Sequence, residues 1–421
     1  MRMTEAYEKG MTIWLIQQHS MPPELGHYNR QNNFGKYLKR DGYRPIAFAG
    51  SKLHNSDVQM ITDGSKYRMY TKSDCPFCFI RTCDYGESKK KRIIADFQFH
   101  WRLYRIRKKF PKPDLVLGSS SYMLSACLAI IFARKFKCRS IVEVRDLWPQ
   151  AIVDYLGFSP KNPIIKILYQ VEKWMYTNAD ELVFTMEGAK DYILEHGLDK
   201  AHGGTVDLKK AHHINNGVDL EKFIEARDQN HFYDEDLADP DKLCIVYTGS
   251  VRKVNRLEYM LDIAKYFAGT NVYFLIWGQG NERERLEKKA REEGIVNIKF
   301  KGHAEKNKIP SILSQADFLF LHFEYKPLVK YGYSPNKLFD YFAAQKPIIS
   351  DVDCKYELVR SNQVGIVVPN DDAEMASRFI KEMIENKENL ELYKRNIAEV
   401  VKQYDFANLT KKLESLIASD S

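Results

Sequence analysis

No part of this 421-residue chain is apolar for long enough to cross a bilayer as a helix. Its most apolar run, MLSACLAIIFA at 123–133, is too short and is broken by Ser125 and Cys127. That leaves a soluble protein or one resting on a membrane surface. Cysteine is sparse, seven in all, and no secretory leader is readable, which points to a reducing compartment. The net charge of +8 is modest. No Asp-x-Asp cluster in the second half reads as a metal site, and Asp351-Val352-Asp353 is expected in a loop after a strand. The first ten residues are polar, and Met11, opening MTIWLIQQH, is an alternative start.

What is present is core-forming material: 44% hydrophobic and 13% aromatic residues, in a chain long enough for two domains of about 200 residues each. In the first half, extended runs (12–17, 44–50, 113–120, 140–146, 180–186, 212–217) alternate with helical ones (29–41, 92–110, 122–136, 163–178). This is the βαβ rhythm of a parallel sheet covered on both faces. Residues 224–241 are polar and acidic and read as a linker. The rhythm restarts with strands at 242–250, 271–280, 297–303, 316–323, 346–351 and 365–369. The expected architecture is two doubly wound α/β domains, 1–223 and 242–403, with an amphipathic helix in 404–421 crossing back to the first. Ligands of such sheets bind beyond the carboxyl ends of the strands. Gly249, Gly278 and Gly302 end three of them and would admit a phosphate closely.

The heptapeptide SPNKLFD at 334–340 carries the sharpest chemistry. Ser334 suits an N-cap and Pro335 the first helical position. A helix start attracts anions, so Lys337 there is electrostatically out of place unless an anion lies between. Asp340 follows one turn on, on the same face. The pair could hold a phosphate and an adjacent sugar diol, or be an ordinary surface Lys and Asp.

INNGVDLEKF (214–223), YTGSVRKVNRLEYMLDIA (247–264), LIWGQG (275–280), IKFKGH (298–303), SPNKLFDYFAAQKPII (334–349) and GIVVP (365–369) run in one order. Together they resemble the family-four glycosyltransferases of the GT-B fold. VRDLWPQAIVDYLG (144–157) is similar to the branch containing the fucosamine transferases of O-antigen and capsule assembly. The resemblance implies two Rossmann-like domains facing a deep cleft and a UDP-sugar donor, with no metal. It implies that Lys337 contacts the donor diphosphate and Asp340 the ribose, with Ser334, Gly249, Gly278 and His303 around them. The chain departs from many relatives. Gly332 stands where they carry a sugar-binding Glu, and Ser250 and Asn255 where they carry Arg and Lys; Arg252, Lys253 and Arg256 are the basic residues nearby.

On the acceptor side the resemblance points to Gly26 and Arg30 in the first βα loop, although Arg30 could equally cap a neighbouring element. Arg145 and Asp146 occupy a His–Asp position of relatives and are read as catalytic or as a structural ion pair. Glu143 lies on the same strand face as Arg145, and Arg92 stands where the branch carries an acceptor-side Arg. The implied reaction is sugar transfer with retention, the leaving diphosphate taking the acceptor proton, onto a polyprenyl-diphosphate-linked glycan at the cytoplasmic face of a bacterial-type membrane. The transferred sugar would be an N-acetylated deoxyhexosamine.

Residues 88–112 hold ten Lys/Arg and one acid with five aromatic residues among them, suited to an anionic membrane surface; a solvated helix with a buried aromatic stripe is the plain alternative, and single-stranded nucleic acid is the rival partner and is not expected. CPFCFIRTC (75–83) lacks a fourth zinc ligand and reads as extended, hence as reduced thiols. A sugar-nucleotide epimerase of the same architecture would need clearer acid/base carboxylates. A non-catalytic basic module would leave Lys337 and Asp340 without a purpose.

Overall fold

The computed structural model describes residues 10–26, 30–120 and 123–418; residues 1–9, ahead of the alternative start, and 27–29 of the first βα loop lie outside the described residues. The chain forms two compact units, residues 1–215 with 406–421, and residues 216–405.

Unit 1 runs β1(Thr12–Ile16), α1(Arg30–Arg40), β2(Arg44–Gly50), β3(Tyr67–Tyr70), β4(Phe77–Ile80), α2(Lys89–Ile106), β5(Leu115–Ser119), α3(Met123–Phe136), β6(Arg139–Val144), α4(Gln150–Leu156), α5(Pro163–Asn178), β7(Glu181–Phe184), α6(Ala189–Glu195) and β8(Ala211–His213). Its sheet has the order β3-β4-β2-β1-β5-β6-β7-β8. All pairings are parallel except β3 with β4. β1 shows why the sheet is covered twice. Ile13 and Leu15 enter a core with Phe34, Leu38 and Phe77. Trp14 and Ile16 point the other way, into a core with Phe48, Phe99 and Phe132.

Unit 2 runs α7(Leu220–Gln229), β9(Leu243–Thr248), α8(Glu258–Lys265), β10(Val272–Trp277), α9(Arg283–Glu292), β11(Ile298–Gly302), α10(Ile309–Gln315), β12(Phe318–Leu321), α11(Asn336–Ala344), β13(Ile348–Ser350), α12(Leu358–Ser361), β14(Gly365–Val367), α13(Ala373–Glu385) and α14(Lys387–Gln403). The sheet order is β11-β10-β9-β12-β13-β14, all parallel. Val246, Leu275 and Leu319 meet Phe339 and Phe342 of α11 on one face. Ile245, Phe274 and Ile276 pack against Met260 and Ile263 of α8 on the other. The last helix, α15(Phe406–Ala418), belongs to unit 1 and places Phe406, Leu409 and Leu413 in its core.

The linker expected at 224–241 is not one. Its first residues continue α7, where the Asp219 side chain accepts the Lys222 N–H and Phe223 is buried. Further on, fully buried Asp236 pairs with Lys242, Lys299 and Lys301 at 2.6–2.9 Å. The acidic composition reflects this clasp on the lysines beside β9 and along β11, not solvation. The change of unit falls at 215/216, inside the INNG turn, rather than at 223.

Cys75 and Cys78 are buried at and in β4 as free thiols, with burial pushing Cys75 up to about 12. Among the described residues no helix is long and apolar enough to cross a membrane, and no three His, Cys, Asp or Glu side chains group as a metal site.

Candidate functional site

The carboxyl ends of β9, β10 and β11 in unit 2 are knitted together by glycine. The Gly249 N–H donates to the Trp277 carbonyl at 3.0 Å and the Gly278 N–H to the Gly302 carbonyl at 2.7 Å. A Cβ on Gly278 would stand 1.7 Å from the Gly249 carbonyl oxygen. The space at Gly278 is therefore taken by the neighbouring loop of the chain itself, which corrects its expected role of admitting a ligand. Gly249 is different: φ is +148°, and its missing Cβ would lie 2.8 Å from the Lys337 Nζ.

Lys337 is the second residue of α11, whose N-cap is Pro335 with no side-chain cap bond. Ser334 is therefore not the cap. Its hydroxyl accepts the Asn216 N–H at 2.9 Å, while the Asn216 amide bonds the Asn336 side chain. The SPN segment thus holds the INNG turn and leaves the amides at the helix start uncapped by any side chain. Lys337 lies over the Tyr247 ring, Nζ 4.0 Å from its centroid. The Nζ is closed off from solvent and has no hydrogen-bond partner among the described residues. Burial pulls its pKa below the ordinary lysine value, against the opposing pull of Tyr341 and Asp351. A desolvated ammonium with an aromatic face beside it and no hydrogen bond of its own keeps a demand for an anion. The arrangement is not that of an ordinary surface lysine.

Asp340, one turn along α11, is half-buried. Burial pushes its carboxyl up to about 7, with Lys306 pulling the other way. Asn255, expected to face the donor, instead donates to the Tyr247 hydroxyl at 2.8 Å and so fixes the ring under Lys337. Arg252, Lys253 and Arg256 are exposed on the turn before α8. Arg256 adopts φ +44°, and its carbonyl accepts from His322 Nε2 at 2.9 Å. The other ring nitrogen of His322 bonds Asp351, and both side chains are buried. His303 is exposed at the end of β11, and Gly332 holds φ +101° where a glutamate would be strained.

In unit 1 the structure separates the acceptor-side candidates. Arg30 and Glu143 are both buried, and Arg30 Nε donates to the Glu143 carboxylate at 2.7 Å. Arg30 also donates to the Asn215 and Ile214 carbonyls at 2.7 and 3.0 Å, and Gln31 donates to the second Glu143 oxygen. Both groups are occupied in fixing where β6 and the end of unit 1 meet α1, which corrects their expected contact with substrate. Gly26 has an extended backbone, and its small size accommodates the Met21 sulfur. Arg145 is half-buried and Asp146 exposed, and no salt bridge joins them.

Arg92 lies at the start of α2, within electrostatic reach of His19, His54 and Asp96. The His19 and His54 rings lie 4.5 Å apart. Burial and then His54 and Arg92 hold His19 down at about 3, while burial pushes Asp96 up to about 7. His100 Nδ1–H donates to the Asp96 carbonyl, leaving Nε2 to accept from Ser125 at 2.8 Å; burial holds that ring down at about 4, neutral at physiological pH.

Residues 228–400 match the family Glycosyl transferases group 1, and residues 32–222 match Glycosyltransferase Family 4. Both halves of the chain thus match glycosyltransferase families. The Escherichia coli K12 protein WcaI, named as a colanic acid biosynthesis glycosyl transferase, is 22% identical over 215 residues. That match spans 49% of this chain and half of WcaI's own length. Sucrose-phosphate synthase of Thermosynechococcus elongatus has the same fold at TM-score 0.68 and 18% identity, over 97% of this chain and 98% of that one. Anabaena HepE, solved in complex with UDP-glucose, follows at TM-score 0.65 and 11% identity, over 97% of this chain and all of HepE.

As a glycosyltransferase site, the unit 2 arrangement offers one desolvated cation, uncapped amides and a titratable carboxyl in a single helix turn and a half. Sequence reasoning missed Tyr247, His322 and Asp351, and in unit 1 His19, His54, Asp96 and His100. A signal existed for some: His322 and Asp351 each directly follow a buried apolar strand, where polar residues of such sheets meet ligands.

Proposed function

We propose that unit 2 binds a UDP-sugar through its diphosphate at the start of α11, with Lys337 as the principal cation and Asp340 receiving the ribose hydroxyls. The observation that carries this reading is the Lys337 ammonium, shut from water and, among the described residues, lacking a hydrogen-bond partner, at a helix start whose N-cap makes no side-chain bond. Arg252 and Lys253 are free on the neighbouring turn to add charge. HepE in complex with UDP-glucose supports the choice of nucleotide. The sugar, an N-acetylated deoxyhexosamine, passes with retention to a polyprenyl-diphosphate-linked glycan in surface polysaccharide assembly, and WcaI's assignment to colanic acid supports that context. The departing diphosphate accepts the acceptor hydroxyl proton while Lys337 and the amides hold its charge. Arg145 and Asp146 at the end of β6 orient the reacting sugar, and Arg92 contributes to holding the anionic acceptor. The basic segment 88–112 rests on the anionic membrane that carries this acceptor.

Calorimetric titration with UDP, GDP and ADP tests the donor site. UDP alone should bind, and Lys337→Ala should weaken it by about 1.5–3 kcal/mol, the range for a charge-assisted contact. Equal binding by the variant would reject the site.

A further inference from the structure

The membrane reading above rests on α2 alone, but exposed apolar residues also stand on α5 and on the turn before it. Phe97 and Trp101 stand out from α2, 59% and 61% exposed. On the far side of α3, Ile164 and Ile167 stand out from the first turns of α5, 66% and 63% exposed, while Ile165 between them is buried. Just before, Leu156 and Phe158 are exposed at the turn from α4. This turn is built rather than loose. Gly157 closes α4 with φ +70° and an N–H bond to the Val153 carbonyl, and the Asn162 side chain caps α5 at Ile164 with Pro163 in the first turn.

α3 joins the two sides: Lys135 lies over the Tyr104 ring of α2 and Arg134 over the Trp174 ring of α5. α2 and α5 both begin at the carboxyl end of the sheet, the end that carries Arg92, Arg145 and Asp146; Ile164 and Ile167 stand in the first turns of α5, and Phe97 and Trp101 about two and three turns along α2. Within the hairpin, residues 155–167, the charged residues are Lys161 and Lys166, both exposed; Asp154 precedes it on α4, hydrogen-bonded to Gln150. Beyond the hairpin, Lys173 follows on α5 beside Glu172, which is buried.

We infer that the α4–α5 hairpin, residues 155–167, is a second membrane anchor that inserts beside α2 into an anionic lipid surface. Large exposed apolar side chains on a fixed hairpin mark a docking face. The basic residues around it select the occupant: a second copy would oppose like charge, whereas anionic headgroups complement it. Two separated anchors also do what one helix does not, fixing the rim of unit 1 against rotation about the helix axis.

This inference rests on the membrane reading, and flotation with vesicles separates the two. Neutral phosphatidylcholine vesicles and vesicles containing phosphatidylglycerol are compared for wild type, Phe97→Ser/Trp101→Ser and Ile164→Ser/Ile167→Ser. Circular dichroism and UDP titration establish that each variant is folded. Wild type should float with the anionic vesicles only, and each double variant should lose roughly tenfold or more in partitioning, from lost apolar burial. If the α2 variant loses binding and the hairpin variant floats as wild type does, the hairpin inference falls and the α2 reading stands. If wild type floats with neither vesicle, both fall. If the hairpin variant only converts a dimer to a monomer in light scattering, the face is an interface between copies and the inference is overturned.

Discussion

At the scale of single residues, Lys337 sets binding against stability. Its ammonium has given up water for one aromatic face, so the unliganded protein carries a desolvation cost that a bound anion would relieve. Lys337→Met keeps the stem and removes the charge. The unliganded variant should melt at a higher temperature than wild type while losing UDP affinity, the trade expected at a functional site. Scanning calorimetry with and without UDP reads both, and a lower melting temperature for the methionine variant would mean the lysine is structurally satisfied. Asp340 gives a pH signature. Its folded pKa of about 7 lies above the ordinary carboxylate value, so the unfolded chain releases that proton first. Stability of the unliganded protein therefore declines as pH rises through the carboxylate range to about 7. Ribose hydroxyls are best accepted by the ionised form. Affinity for a UDP-sugar, which does not itself titrate there, should rise from about pH 6 to 8 by no more than about tenfold per unit. The dependence should vanish in Asp340→Asn; the same slope in that variant would assign the titration elsewhere.

At the scale of elements, strands were the most legible feature, because parallel strands buried on both faces are written as unbroken apolar runs such as TIWLI and FLFL. Helix starts were less so. Ser334 and Pro335 have the composition of a cap and a first turn, yet the helix begins at Asn336 because the Ser334 hydroxyl is taken by the INNG turn, more than a hundred residues away in sequence. The same long-range logic turned an apparent linker into a clasp. Asp236 is fully buried among three lysines, and their hydrogen bonds hold its pKa well below the ordinary value in spite of burial. A carboxylate with a depressed pKa stabilises the fold above its ordinary pKa, and that stability is lost as pH falls through it. Asp236→Asn should therefore cost about 3 kcal/mol at neutral pH, within the range for breaking a buried pair. The deficit should shrink in acid, where wild type also loses the charge. Urea unfolding at two pH values measures it, and a loss independent of pH would point to packing instead.

At the scale of the whole molecule, the chain returns at its end to the unit in which it began. α15 lays Leu409 and Leu413 into the unit 1 core, and Phe406 meets Phe34 edge to face at 5.3 Å. Arg139 donates to the Leu416 and Ile417 carbonyls, at 3.1 Å each. Leu413→Ala should cost about 2–5 kcal/mol, as for other buried leucines, whereas exposed Lys411→Ala should stay within about 0.5 kcal/mol. A thermal melt in which both variants behave alike would contradict the docking of α15 on unit 1. By itself the sequence determined two parallel α/β sheets and the resemblance to glycosyltransferases, and it singled out Lys337 and Asp340 as candidates, because apolar periodicity and a cation at a helix start are local properties. Only the tertiary structure decided which charged residues are free. Arg30 and Glu143 have the composition of a binding site, yet they are spent on each other across 113 positions of sequence. Lys337 looks like an ordinary surface lysine, yet its ammonium is enclosed with no hydrogen-bond partner among the described residues. Pairing and desolvation depend on what the fold brings within a few ångströms, and no residue's immediate neighbours in the chain record that.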